Sequence, residues 1–264
     1  MTEYKVQFKK DRVRFVIVTV VIMTLLVWAF ISLPAFEIKS NAKDLVMAIL
    51  SGLIHPDWGY VYMPEGEDLL RGLLETFAIA VISTFLSAVC CIPFAFLSAQ
   101  NMIKWRTVSG VTKVFLSMIR VVPEIVIAIL FIKAVGPGSF SGVLALGIHS
   151  VGMMGKLFAE DIEHLNLSAT ESLRASGANT IETWVFAVIP QIIPSFVSLV
   201  LYRFELNLRS ASILGLIGAG GIGTPLIFAL QTRDWDRVGI ILIGLVLMVA
   251  IVDLISGKIR EKLV

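Results

Sequence analysis

Long apolar runs separated by short polar connectors dominate this chain. They fall at about residues 15–33, 73–98, 114–135, 139–157, 190–217 and 238–256. A hydrocarbon core of roughly 30 Å needs about 20 helical residues, so each run predicts one membrane-crossing helix. The first, Phe15–Leu33, is nineteen residues without a charge and follows Lys5, Lys9, Lys10, Arg12 and Arg14. It is longer than a signal h-region and no small-residue cleavage site follows it, which predicts a retained span and no cleavable leader. In residues 34–70, Leu45, Ile49 and Leu53 recur every fourth position with Ala48 and Gly52 alongside. That spacing predicts a short helix lying in the membrane interface. His55-Pro56-Asp57-Trp58-Gly59 then reads as a turn, as does Gly136-Pro137-Gly138 between the third and fourth runs.

Composition agrees. Of 264 residues 57% are hydrophobic and 16% charged, with a mean hydropathy of +0.88, whereas a soluble domain carries about 25% charge. The expectation is an all-α integral membrane protein of about six spans, one transmembrane domain over residues 1–264. A net charge of +2 offers no electrostatic footprint for nucleic acid, so the bilayer is the partner that composition implies. Cys90 and Cys91 are neighbours in an apolar run and read as two small buried hydrophobes, and no metal site is expected.

Six spans place both termini on one side of the membrane. One set of span ends carries Lys5, Lys9, Lys10, Arg12, Arg14, Lys104, Arg106, Lys113, Lys156, Arg174, Lys258, Arg260 and Lys262. The other carries Lys39, Lys43, Arg71, Arg233 and Arg237, the last two beside Asp234 and Asp236. The positive-inside rule assigns the first set to the cytoplasm and residues 34–70 to the outside.

Ionisable residues inside the runs are the functional candidates, because each costs several kcal/mol in hydrocarbon unless paired or wetted. The third run holds Arg120 and Glu124 at i,i+4, which predicts one helix face, with Pro123 between them. The fourth holds His149, read as a satisfied interior residue. The fifth holds Arg203, Glu205 and Arg209, with the neutral amide Asn207 between them as a further pathway candidate. Three arginines deep in a bundle suit an oxyanion, which guanidinium binds in bidentate fashion; a structural ion-pair role is the alternative.

Gly218, Gly220 and Gly223 spell G-x-G-x-x-G within a stretch that also contains Gly221. The nucleotide reading fails, because the motif needs a strand before it and a soluble βαβ unit around it. Glycine at this density breaks a helix and lets backbones approach, so a hinge or gate at the outer end is the expectation. No phosphate-binding P-loop and no catalytic constellation occurs. The chain is expected to be no enzyme and to hold no cofactor itself.

Residues 158–190 form the most polar loop on the cytoplasmic side. A polar helix over 160–176 is predicted to end at Gly177 in a left-handed cap, and a second helix, Ile181–Val188, to start after Thr180 as N-cap and to lead into Pro190. Two short helices at an angle can plug into a groove on a soluble partner. Glu171, Gly177 and Ile189-Pro190 resemble the EAA loop of ABC importer permeases (E-A-A, three residues, Gly, nine residues, I-x-L-P), from which Ser172, Leu173 and Ala187 depart.

The likeness is denser than that loop. Ser141–His149, Arg174-Ala175-Ser176-Gly177-Ala178-Asn179, the string Arg203-Phe204-Glu205-x-Asn207-x-Arg209-Ser210-Ala211 and Gly218–Gly223 resemble the permease subunit of phosphonate ABC importers, the PhnE family. The resemblance implies a type I ABC importer permease fold in a bacterial inner membrane, and a homodimer with two ATP-binding cassette subunits that bind ATP and Mg. It also implies an extracytoplasmic phosphonate-binding protein, and import of phosphonate or a related oxyanion such as phosphite by alternating access. A self-sufficient secondary transporter or channel for a small anion is the competing reading, with Arg120, Glu124 and Glu205 as ion-coupling groups.

Overall fold

A computed structural model describes residues 2–32, 42–64, 66, 68–103, 105–166 and 168–263. Lys39 and Lys104 lie outside the described residues, as does the end of the first run at Leu33. The chain divides into two units, Met1–Val46 and Met47–Val264. The first unit contains helix α1 (Thr2–Ser32), whose apolar part, Arg14–Ser32, is nineteen residues long and apolar enough to cross a membrane. Helix α2 (Ala42–Ile54) crosses the division between the units.

The second unit is a helical bundle: α3 (Leu69–Ser98), α4 (Arg106–Val121), α5 (Glu124–Val135), α6 (Ser139–Glu163), α7 (Ser168–Ala175), α8 (Thr180–Thr183), α9 (Ile189–Gly215), α10 (Gly223–Thr232) and α11 (Trp235–Leu263). A π-helical turn, Trp184–Val188, joins α8 to α9. Among the described residues five helices are long and apolar enough to cross a membrane, or six if α4 and α5 count together.

Helix α6 is the hub, packed against α3, α4, α5 and α9. Its glycines explain why. A Cβ on Gly147 would meet Leu86 of α3 at 3.1 Å, and one on Gly152 would meet Ile119 and the Leu116 carbonyl of α4 at 2.9 and 3.0 Å. Small residues let helices approach without a hydrophobic driving force, which hydrocarbon cannot supply. On α3 the facing positions Ser83, Thr84 and Ser87 are buried, each hydroxyl bonded back to its own helix.

The third apolar run is two helices, not one. α4 and α5 meet at 82° across Val122-Pro123. Proline has no N–H to give and its ring disfavours helical backbone at the preceding residue, and Val122 is extended at φ −73°, ψ 121°. Arg120 and Glu124 therefore sit on different helices on either side of the break, and the shared face expected from i,i+4 spacing does not exist.

Candidate functional site

Two places draw the candidate residues together. The first is the insert between α6 and α9. The continuous helix expected over 160–176 is divided: α6 runs to Glu163, and α7 begins at Ser168. α7 buries none of its side chains, and Glu171, Arg174 and Ala175 all face outward. Gly177 takes φ +90°, its N–H donates to the Arg174 carbonyl (3.0 Å), and the Ala178 N–H donates to that of Leu173 (3.0 Å). This paired closure is the glycine cap expected there. The next cap falls one residue earlier than the sequence indicates. Asn179, not Thr180, opens α8: its Oδ1 accepts the Glu182 N–H (2.9 Å) while Glu182 Oε2 accepts the Asn179 N–H (2.8 Å). Asparagine with an acid three residues on is a reciprocal capping pair. Pro190 is exposed in the first turn of α9. Trp184 of the π-turn packs on Phe96 of α3, ring centroids 5.4 Å apart.

The second place is α9, whose four candidates divide between two faces. Arg203 and Asn207, four residues apart, turn towards α6 and α3. Arg203 is 5% exposed; its Nε donates to Ser150 Oγ (2.9 Å) and its Nη1 to Met153 Sδ (3.1 Å). A guanidinium only donates, so Ser150 accepts from it and donates onward to Asn207 Oδ1 (3.0 Å). Asn207 Nδ2 donates to Thr84 Oγ1 (2.9 Å), and Thr84 donates to the Ala80 carbonyl (2.7 Å). Arg203 thus starts a one-way chain of hydrogen bonds through three helices. Glu124 and His149 lie within its electrostatic reach, and Ser210 donates to Glu124 (2.7 Å). His149 lies near the Val122 backbone at the helix break, and its Nδ1 is buried without a hydrogen-bond partner.

Glu205 and Arg209 turn towards α11 instead. Arg260 Nη2 donates to Glu205 and Arg209 Nη2 to Asp253, each at 2.6 Å. Glu205 is buried, whereas Arg209 and Asp253 are each exposed over more than a third of the side chain. Arg120 is exposed too. The expected trio of deep arginines is a single one, Arg203. Asp253 escaped the sequence analysis, although an acid in the last apolar run was a visible signal, and Arg260 entered it only as a topology charge.

The glycine-rich stretch leaves α9 and turns tightly into α10, a helix absent from the expected spans. Gly218, Gly220 and Gly221 have φ of +93°, +83° and +76°. The Ile222 N–H donates to Thr76 Oγ1 of α3 (2.8 Å), the Gly138 N–H to the Gly218 carbonyl (2.9 Å), and Ser139 Oγ to Glu75. Gly223 begins α10 directly against Gly215. A helix precedes the glycines where a dinucleotide site needs a strand.

Residues 91–263 match the family described as binding-protein-dependent transport system inner membrane component. The chain belongs to this family. It is 41% identical over 222 residues to the phosphite transport system permease protein PtxC of Stutzerimonas stutzeri, covering 84% of this chain and 78% of that one. It is 36% identical over 240 residues to the phosphate-import permease protein PhnE of Mycolicibacterium smegmatis, covering 89% of this chain and 43% of that one. Among solved structures it resembles a chain of the bacterial alginate ABC transporter in complex with its alginate pentasaccharide-bound periplasmic protein, at 15% identity and a TM-score of 0.63 over 96% of each chain. The fold is that of ABC importer permeases, and the protein is a multi-pass inner-membrane transport component.

Proposed function

We propose that this chain is the membrane permease of an ATP-driven importer for phosphonate or a related phosphorus oxyanion such as phosphite. One observation carries the cargo class: relatives matched over more than four-fifths of this chain are named for phosphite and for phosphate. Arg203 supports it, as a buried guanidinium whose hydrogen-bond partners are neutral. In this reading Arg203, with Asn207, Glu124 and Arg120 around the helix break, and Glu205 and Arg209 on the opposite face, line or brace the anion path. The corner at Gly218, Gly220, Gly221 and Gly223 is its outer gate.

The basic span ends support a cytoplasmic position for α7, α8 and both termini, with residues 34–70 outside. There Glu171, Arg174, Ala175, Gly177, Ala178, Asn179 and Pro190 form the insert that a separate ATPase subunit grips. The exposed α7, held by its caps and not by burial, supports that role. The assembly is a homodimer with two ATP-binding cassette subunits and a soluble binding protein outside, and ATP and Mg are bound by the ATPase.

Purification of the tagged chain from its own membranes tests this reading, followed by reconstitution of whatever remains bound. A stoichiometric ATP-binding cassette protein is expected, and ATP-loaded vesicles should accumulate labelled phosphite or methylphosphonate when the binding protein is added outside. A chain that purifies alone, yet takes up either anion under an ion gradient, would establish the secondary-transporter reading instead.

A further inference from the structure

The last turn of α6 is fastened on two sides just before the chain leaves for the insert. Glu163 Oε1 accepts both Lys113 Nζ of α4 (2.8 Å) and the Gln100 N–H beyond α3 (2.7 Å). Asn101 Nδ2 donates to the Ile162 carbonyl in the same turn (2.6 Å). On the other side Ser195 of α9 donates to Asp161 (2.5 Å). The Lys113 and Glu163 side chains are 30% and 25% exposed, so the pair is partly shielded from water. Below it, Leu116 of α4 is fully buried against Gly152 and Gly155 of α6.

We infer that Glu163 is a positioning residue for coupling: it clasps the first half of the broken span to the root of the insert, so that α4 moves with α7 and α8 as one body. The inference rests on the coupling role given to the insert above. α4 is held to α6 by a charged clasp at its middle, Lys113, and by close packing further along, at Leu116 and Ile119. Beyond Val122-Pro123 the backbone turns through 82° into α5, which bonds to α9 through Glu124 and Ser210. A displacement applied at the insert is therefore passed through the clasp to α4 and Arg120, while Glu124 across the break answers to Ser210 of α9. Rigid elements joined at a short break are the usual means by which local displacement becomes a switch. Both halves of the span pack against α6, but the charged clasp to its last turn is made by α4.

Two measurements test it. The first needs no cargo: spin labels on the purified full chain at Gly110, where a side chain meets nothing within 4 Å, and at exposed Ser176, with Cys90 and Cys91 replaced by Ala. A narrow distance distribution is expected, broadened by E163Q and by K113Q and narrowed again in the charge swap K113E/E163K. An unchanged width in E163Q overturns the clasp. The second uses the reconstituted complex. E163Q should lower uptake by roughly threefold to thirtyfold, the range over which coupling residues act, with the ATPase subunit still bound in full and uptake recovered in the swap. Lost ATPase binding, or a swap that restores nothing, overturns the positioning role in favour of a structural one. If the wild-type complex neither binds an ATPase nor transports, the coupling reading falls, and the label distances decide the clasp alone.

Discussion

Glycine turns the chain in the insert before α9 and again just after α9, and the two turns obey different physics. At the insert, Gly177 has φ +90° and nothing within 4 Å of where a Cβ would stand. At the other end, Gly220 and Gly221 have similar φ, but a Cβ on either would meet atoms at 2.6 Å: the Ser139 amide for one, Thr76 Oγ1 for the other. Gly215 and Gly223 need no positive φ and are glycine for space alone, each pressed on the other's backbone. One turn uses glycine for a dihedral angle. The other uses it to pack three helix ends with no side chain between them. The same residue type thus marks a surface free to engage a partner and a corner with no spare volume.

The largest effect follows from the crowded corner. In Gly215→Val the new side chain would stand 2.6–2.8 Å from the Gly220 carbonyl and the Gly223 backbone, neither of which can swing away. The cost should reach or exceed the upper end of the roughly 1–3 kcal/mol typical of overpacking, a large part of a total stability of about 5–15 kcal/mol. Size-exclusion of the detergent-solubilised chain should show loss of the monodisperse peak. A normal peak would mean that the corner opens readily, which would strengthen its reading as a gate.

A step smaller is Thr76→Val. It keeps the volume and removes the acceptor of the buried Ile222 N–H. An orphaned buried donor costs about 1–3 kcal/mol, so the melting temperature should fall while the fold persists. An unchanged melting temperature would show that water reaches this corner.

Gly177 should behave in the opposite way. Gly177→Leu meets no atoms, and a non-glycine residue at positive φ costs about 1–2 kcal/mol of local structure. The insert contributes no buried surface through α7, so membrane yield and melting temperature should match the parent. Uptake by the reconstituted complex should nonetheless collapse, because the bulky side chain and altered cap change the face offered to the ATPase. Unaffected uptake would remove the coupling role.

How much of this contrast was legible beforehand follows from which forces are local. Apolar runs report burial in lipid directly, so the spans were visible, and the Gly177 cap was visible because capping involves neighbours in sequence. The break at Pro123 was hidden by apolar residues on both sides, although the proline that causes it was plain. α10 was missed because ten residues are too few to cross a bilayer and glycines precede it. The Arg209–Asp253 and Arg260–Glu205 pairs join residues 44 and 55 positions apart, a distance over which no periodicity speaks. Arg260 looked like a topology signal, and its bond to Glu205 has no sequence signature. The Arg203–Ser150–Asn207–Thr84 chain is hidden for the same reason, since serine and threonine are common small residues in any membrane helix.

The smallest expected effect lies inside the insert and tests how isolated it is. Asn179→Ala removes one half of the capping pair with Glu182. Such a cap is worth about 1 kcal/mol, and α8, at four residues, is too short to stand on propensity. It is held instead by its continuation into the π-turn, where Trp184 packs on Phe96. Amide exchange over residues 180–183 should therefore quicken by about fivefold, the equivalent of about 1 kcal/mol. Exchange in α3 and α6, and the melting temperature, should stay where they were. If Asn179→Ala instead lowered the melting temperature as Thr76→Val does, the cap would be bracing the bundle. The division between a packed outer corner and a separately held inner insert would then fail. If exchange quickened only at 180–183, the insert would be a module that responds to its partner without loosening the membrane bundle, and in that case Trp184 and Glu163, not the caps, carry its movement inward.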